Sequence, residues 1–161
     1  MTKQETYKYL TAHGVAYETA EHPAVYNMEE MAAVALPHPE ADAKNLFVRD
    51  DKKQHYYLLT VRGDRRVDLK AFRKRHGLRN LTFASADELQ AILGLIPGAV
   101  TPLGLLHDTA RDVKFYLDAS FGEGLVGVHP NDNTATVFLP AGELLRLIRE
   151  RGNETEIAEF D

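Results

Sequence analysis

Along most of the chain apolar and polar residues either alternate or form short apolar blocks, and at five places the spacing turns helical. Thr2 and Glu5 form a capping-box pair and Gly14 supplies a stop, which predicts a helix over residues 2–13. "VAYETA" (15–20) reads as a short strand, and Asn27 with Glu30 starts a helix in "MEEMAAVA" (28–35). After the break at "PHPE", the β-rich runs "AKNLFVRD" (43–50) and "HYYLLTVR" (55–62) flank the polar "DKKQ" and predict a hairpin. Asp68 caps a basic helix that ends at Gly77, and Ser85 with Glu88 caps "ADELQAIL" (86–93), which stops at Gly94. Three strand candidates follow, "VKFYL", "GLVGV" and "TATVFL", joined by the turn-rich "DASFGEG" and "HPNDN". Leu144, Leu145 and Ile148 give "AGELLRLIRERG" a helical apolar face. The expected architecture is a single α+β domain over residues 1–161, with one mixed, mostly antiparallel sheet flanked by helices.

Size agrees with that expectation: 161 residues suit one domain that buries roughly 70% of its unfolded surface. The absence of cysteine excludes disulfides, thiolate zinc sites and cysteine nucleophiles. No signal-peptide core and no run of about 20 apolar residues is present, so a cytoplasmic location is expected and no membrane partner is implied. No dinucleotide or P-loop glycine pattern occurs, and the seven histidines show no metal-ligand spacing; no metal or organic cofactor is implied.

Charge changes the picture when it is divided. The net charge is −5, yet "RGDRRVDLKAFRKRHGLR" (62–79) holds eight basic and two acidic residues, +6, which leaves −11 for the rest. Such segregation fits a localised anionic partner, and equally a solvated helix face. Arg65, Arg66, Lys70, Arg73 and Lys74 are the candidate nucleic-acid contacts.

Three further signals bear on chemistry. "GAVTP" (98–102) has the form G-x-x-x-P inside an unusually apolar loop, "GLIPGAVTPLG". Glycine permits close approach or positive φ, proline fixes the exit, and main-chain N–H groups there suit a carbonyl oxygen or oxyanion. A plain structural turn is the competing reading. In "AKNLF", strand alternation puts Lys44 on the apolar face with Leu46 and Val48, and Asn45 on the opposite one. A lysine there is either an edge-protecting residue or an electrostatic handle for phosphate, ester or carboxylate. His129 in "GVHPND" ends an apolar strand where a loop begins, a common place for functional side chains and for structural histidines alike.

Taken together, "EHPAVYNMEEMA", "AKNLF", "GLIPGAVTPLGLLHD" and "GVHPNDNTATVFL" resemble the bacterial prolyl-tRNA editing (YbaK-like) deacylase family over roughly residues 2–149. Asn27 stands where that family usually has threonine and keeps a capping side chain. The Lys44–Asn45 pair and His129 point to the free-standing, alanine-specific branch.

The resemblance implies hydrolysis of alanine wrongly attached to tRNA(Pro), by water attack on the aminoacyl ester. It implies catalytic roles for Lys44, Asn45, Gly98 and His129, and substrate contacts from Leu46, Ala99, Val100, Thr101, Pro102 and Val128. The implied partners are the acceptor end of tRNA(Pro) carrying a wrong amino acid and prolyl-tRNA synthetase, with no DNA. Alternatives are a deacylase for cysteine or serine esters, a non-catalytic aminoacyl-tRNA or amino-acid sensing module, and a general nucleic-acid binder. The last is disfavoured by net acidity and by the lack of interleaved aromatics.

Overall fold

The structure is a computed structural model that describes residues 1–160, the Met28 side chain excepted. Among the described residues eight strands form two sheets, accompanied by five α-helices and four short 3-10 helices. The larger sheet contains β2 (Ala43–Asp50), β3 (Tyr56–Arg62), β4 (Leu81–Phe83), β5 (Lys114–Asp118) and β8 (Thr155–Ala158), in the order β4-β2-β3-β5-β8. Its β4, β2 and β3 are antiparallel, and β3, β5 and β8 are parallel. The smaller sheet is antiparallel, β1 (Glu18–Glu21), β7 (Ala135–Pro140) and β6 (Leu125–Val128), with β7 in the middle. An isolated parallel bridge, Asp42 to Gly127, joins the two sheets.

The helices are α1 (Lys3–Ala12), α2 (Met28–Ala32), α3 (Leu69–His76), α4 (Ala86–Leu93) and α5 (Ala141–Glu150). Both expected capping boxes form, Thr2 with Glu5 on α1 and Ser85 with Glu88 on α4. Glu88 also reaches Arg49 and the Tyr56 hydroxyl, tying α4 to the β2–β3 hairpin.

"YYLLTV" lacks alternation because both faces of the large sheet are covered. Leu58 and Phe115 belong to one core with Leu139, Leu144 and Leu147, which includes the apolar stripe of α5. Leu59, Val61 and Tyr116 face a second core with Phe72 of α3 and Phe160. Leu144 and Leu147 are fully buried, and each such side chain contributes about 1.5–3 kcal/mol.

Three expectations are revised. The single sheet divides in two, because the turn-rich 118–124 segment carries the chain from β5 in one sheet to β6 in the other. The first strand begins at Glu18, not Val15, since Val15 is buried and its N–H closes α1 on the Leu10 carbonyl. Two edge strands, β4 and β8, were not expected; at three and four residues they are too short to show a period.

Candidate functional site

Where the two sheets converge lies a cavity of about 210 Å³. Its walls come from four separate stretches: Val25, Asn27 and Met31 around α2; Asp42 to Leu46 at the start of β2; Gly98 and Val100; and Gly127 to His129 with Thr136 on the small sheet. Lys44, Asn45, Leu46, Gly98, Val100, Val128 and His129, far apart in sequence, thus share one space.

The β2 backbone explains how neighbours with opposite side-chain directions both line it. Gly63 N–H donates to the Asp42 carbonyl at 2.9 Å, so the hydrogen-bonded positions facing β3 are the even ones. The Asn45 N–H and C=O therefore turn away from β3, toward an edge that β4 covers only at Val48–Asp50. The Asn45 carboxamide oxygen is already engaged, accepting from the Thr60 hydroxyl at 2.6 Å. Lys44 is half-buried, and its ammonium donates to the main-chain oxygen of Arg65. Burial, and secondarily the nearby Arg66, hold its pKa below the ordinary lysine value, against an opposing pull from Asp64.

The glycine–proline loop is shaped by close approach. Gly98 has φ +89°, and a Cβ there would lie 2.8 Å from Tyr26 Cα, so no side chain fits. The Ala99 N–H closes a turn on the Ile96 carbonyl. Among the described residues no hydrogen bond engages the N–H of Gly98 or Val100, the two loop residues that line the cavity. Ala99, Thr101 and Pro102 are buried behind the wall. The Thr101 hydroxyl donates to the His129 carbonyl at 2.6 Å and accepts from Leu103 N–H.

His129 Nδ1 lies 2.9 Å from the Ala135 carbonyl, which can only accept, so Nδ1 carries the proton and Nε2 is left as an acceptor. Burial is the main cause that lowers the ring's pKa, and the ring is neutral at neutral pH. His22 approaches at 6.0 Å between ring centroids and holds Thr136 through Nε2 at 3.0 Å.

The basic stretch touches one cavity residue, because Arg65 presents its carbonyl to Lys44. Arg65 itself is engaged, with Nη1 on the Phe160 carbonyl at 2.8 Å and Nε 3.3 Å from buried Asp118. Arg66, Lys70, Arg73 and Lys74 make no ion pair or side-chain hydrogen bond among the described residues. Also among the described residues, no group of three or more histidines and carboxylates is arranged to hold a metal ion.

Sequence reasoning did not single out Val25, Met31, Asp42, Ala43, Gly127 or Thr136, and Asn27 entered it only as a helix cap. Their residue types carry no chemical signature, and only the meeting of two sheets makes them neighbours.

Residues 22–147 match the family model described as the aminoacyl-tRNA editing domain. The prolyl-tRNA editing protein ProX of Acetoanaerobium sticklandii is 37% identical over 159 residues, which covers 98% of this chain and 97% of that protein. Prolyl-tRNA synthetase associated domain-containing protein 1 of Bos taurus is 38% identical over 161 residues, covering 94% and 91% respectively. A solved structure provisionally assigned as a trans-editing enzyme for prolyl tRNA synthetase superposes with a TM-score of 0.75 at 24% identity, covering 100% of this chain and 98% of that one, a likeness that carries the fold. The chain belongs to the aminoacyl-tRNA editing domain family.

Proposed function

We propose that this protein is an aminoacyl-tRNA deacylase that removes alanine mistakenly esterified to tRNA(Pro), with residues 1–161 acting as one editing unit. The observation that carries the reading is the small cavity lined at once by Lys44, Gly98, Val100 and neutral His129. Family membership supports the reaction class, and the names of the relatives support proline tRNA as the carrier.

In this reading the terminal phosphate and ribose approach Lys44 and Arg66, and the acyl group enters the cavity. The free N–H groups of Gly98 and Val100 receive the ester carbonyl oxygen as it becomes an oxyanion, a donor role typically worth about 3 kcal/mol. Water adds to the carbonyl carbon and the ester C–O bond breaks, giving the free amino acid and a ribose hydroxyl. His129 Nε2 accepts a hydrogen bond from that water or from the neighbouring ribose hydroxyl. Positioning supplies most of the rate.

Size provides the selectivity. A proline-activating site cannot reject alanine strongly, because each missing methylene yields only about 1–3 kcal/mol. A cavity of about 210 Å³ that must also take part of the ribose favours the smaller acyl group. Val100, Val128 and Leu46 form part of its apolar wall.

The test is ester loss from tRNA(Pro) charged with alanine, cysteine, serine or proline, by wild type and Lys44→Ala. Lys44-dependent release of alanine ahead of the others is expected. Preference for cysteine or serine reassigns the substrate, binding without release makes the protein a sensor, and equal release of proline contradicts the size argument.

A further inference from the structure

We propose that Asp42 is the group that receives the α-ammonium of the esterified amino acid, and so distinguishes an aminoacyl ester from any other small acyl ester. The inference rests on the deacylase reading and adds a residue and a substrate feature to it.

Asp42 is the single carboxylate among the residues that line the cavity. Among the described residues it makes no ion pair, and Lys44, two residues further along, is turned onto the Arg65 carbonyl. The other titratable group in the wall is neutral His129, with His22 behind Thr136. A carboxylate is thus held at a half-buried position without a counter-ion.

The main chain fixes it there. The Asp42 carbonyl accepts from Gly63 N–H at 2.9 Å, its N–H reaches the Pro39 carbonyl at 3.3 Å, and the residue forms the bridge to Gly127. Position 63 leaves room for the carboxylate, because a Cβ there would lie 3.1 Å from Asp42 Oδ2. Burial raises the carboxyl pKa, so desolvating the charged form opposes folding. Within the chain the charge is met by the Ala43 N–H and by no cation, which leaves it open to a cationic ligand.

The substrate class supplies such a cation. An α-amino group titrates near 8 and is largely protonated at neutral pH. It is attached one carbon from the ester carbonyl, so a carbonyl held at Gly98 and Val100 leaves it inside the same cavity. Lys44, on the phosphate side, repels it toward Asp42.

The experiment compares the alanyl ester of tRNA(Pro) with its lactyl counterpart, in which hydroxyl replaces ammonium, each rate divided by its uncatalysed hydrolysis. Wild type is expected to prefer the alanyl ester by about tenfold to hundredfold in kcat/KM, the range of a hydrogen bond to a charged group. Asp42→Asn should bring that ratio near one while its lactyl rate stays within about threefold of wild type. Its melting temperature at pH 7 should equal or exceed that of wild type, because the raised pKa means stability is lost as pH rises through it. A wild-type ratio near one overturns the inference without any variant, and so does an undiminished preference in Asp42→Asn. Wild type inert on both esters overturns the deacylase reading beneath it.

Discussion

The Thr101 hydroxyl donates to the main-chain oxygen of His129 across 2.6 Å, so the glycine–proline bend and the end of β6 are held as one body. Thr101 is fully buried, and Thr101→Val would leave that carbonyl without its donor at nearly constant volume. A loss of about 1–3 kcal/mol in unfolding free energy is expected. The rate of alanyl ester hydrolysis should fall further than that loss of folded protein explains; chemical denaturation beside single-turnover kinetics measures both.

Gly98→Ala places a methyl group 2.8 Å from Tyr26 Cα at a φ of +89°, so the loop or the segment before α2 must shift. Backbone strain of this kind costs about 1–3 kcal/mol. Gly98 and Val100 line the cavity with N–H groups that no other described residue engages, and in the proposed reaction these are the oxyanion donors, so at least a tenfold fall in kcat is expected, with tRNA affinity retained. An unchanged kcat would remove the loop from the chemistry.

His129 sets an acid limit. Its pKa lies below the ordinary histidine value, chiefly through burial, so Nε2 remains an acceptor until the pH falls below that value. The rate should stay level on acidification from pH 7.5 through the usual histidine range and fall only beneath it. His129→Gln should be slower and lack this limb. The folded state binds the proton less readily than the unfolded chain, so stability contributed by the neutral ring is also lost as pH falls through the folded pKa.

Two kinds of basic residue should separate cleanly. Replacing Arg66, Lys70, Arg73 and Lys74 by glutamate should weaken tRNA capture and flatten its salt dependence, by about 0.9 in logarithmic slope for each duplex-stem phosphate that is no longer neutralised. Turnover of a minimal alanyl-adenosine should be affected only through Arg66. Arg65→Ala acts on the fold: it leaves Asp118, 1% exposed, without its cation and frees the Phe160 carbonyl, and the melting temperature should drop. Filter binding against salt, with calorimetry, tells these apart.

Much of this was legible from the chain. Capping pairs marked α1, α2 and α4 because a side-chain oxygen three residues from its partner N–H is a local device, readable without tertiary contacts. The β2–β3 hairpin and the β6–β7 pair were local as well. The division into two sheets was not, since nothing in "DASFGEG" says that the chain changes layers there. Lys44, Gly98 and His129 were found by residue type and family likeness, whereas Asp42 and Thr136 carry no motif. The orientation of Asn45 was hidden for another reason. Strand alternation describes side chains, and what Asn45 turns to the open edge is its backbone.

The cations of the loop after β3 and of α3 stand on a chain whose remaining residues sum to −11. Arg66, Lys70, Arg73 and Lys74, without ion pairs among the described residues, concentrate positive potential on that segment of an otherwise acidic molecule. A polyanion is steered toward that segment and repelled by the net charge elsewhere. Collisions are thereby filtered by direction, so the association rate, more than the final affinity, should register any rearrangement of these charges.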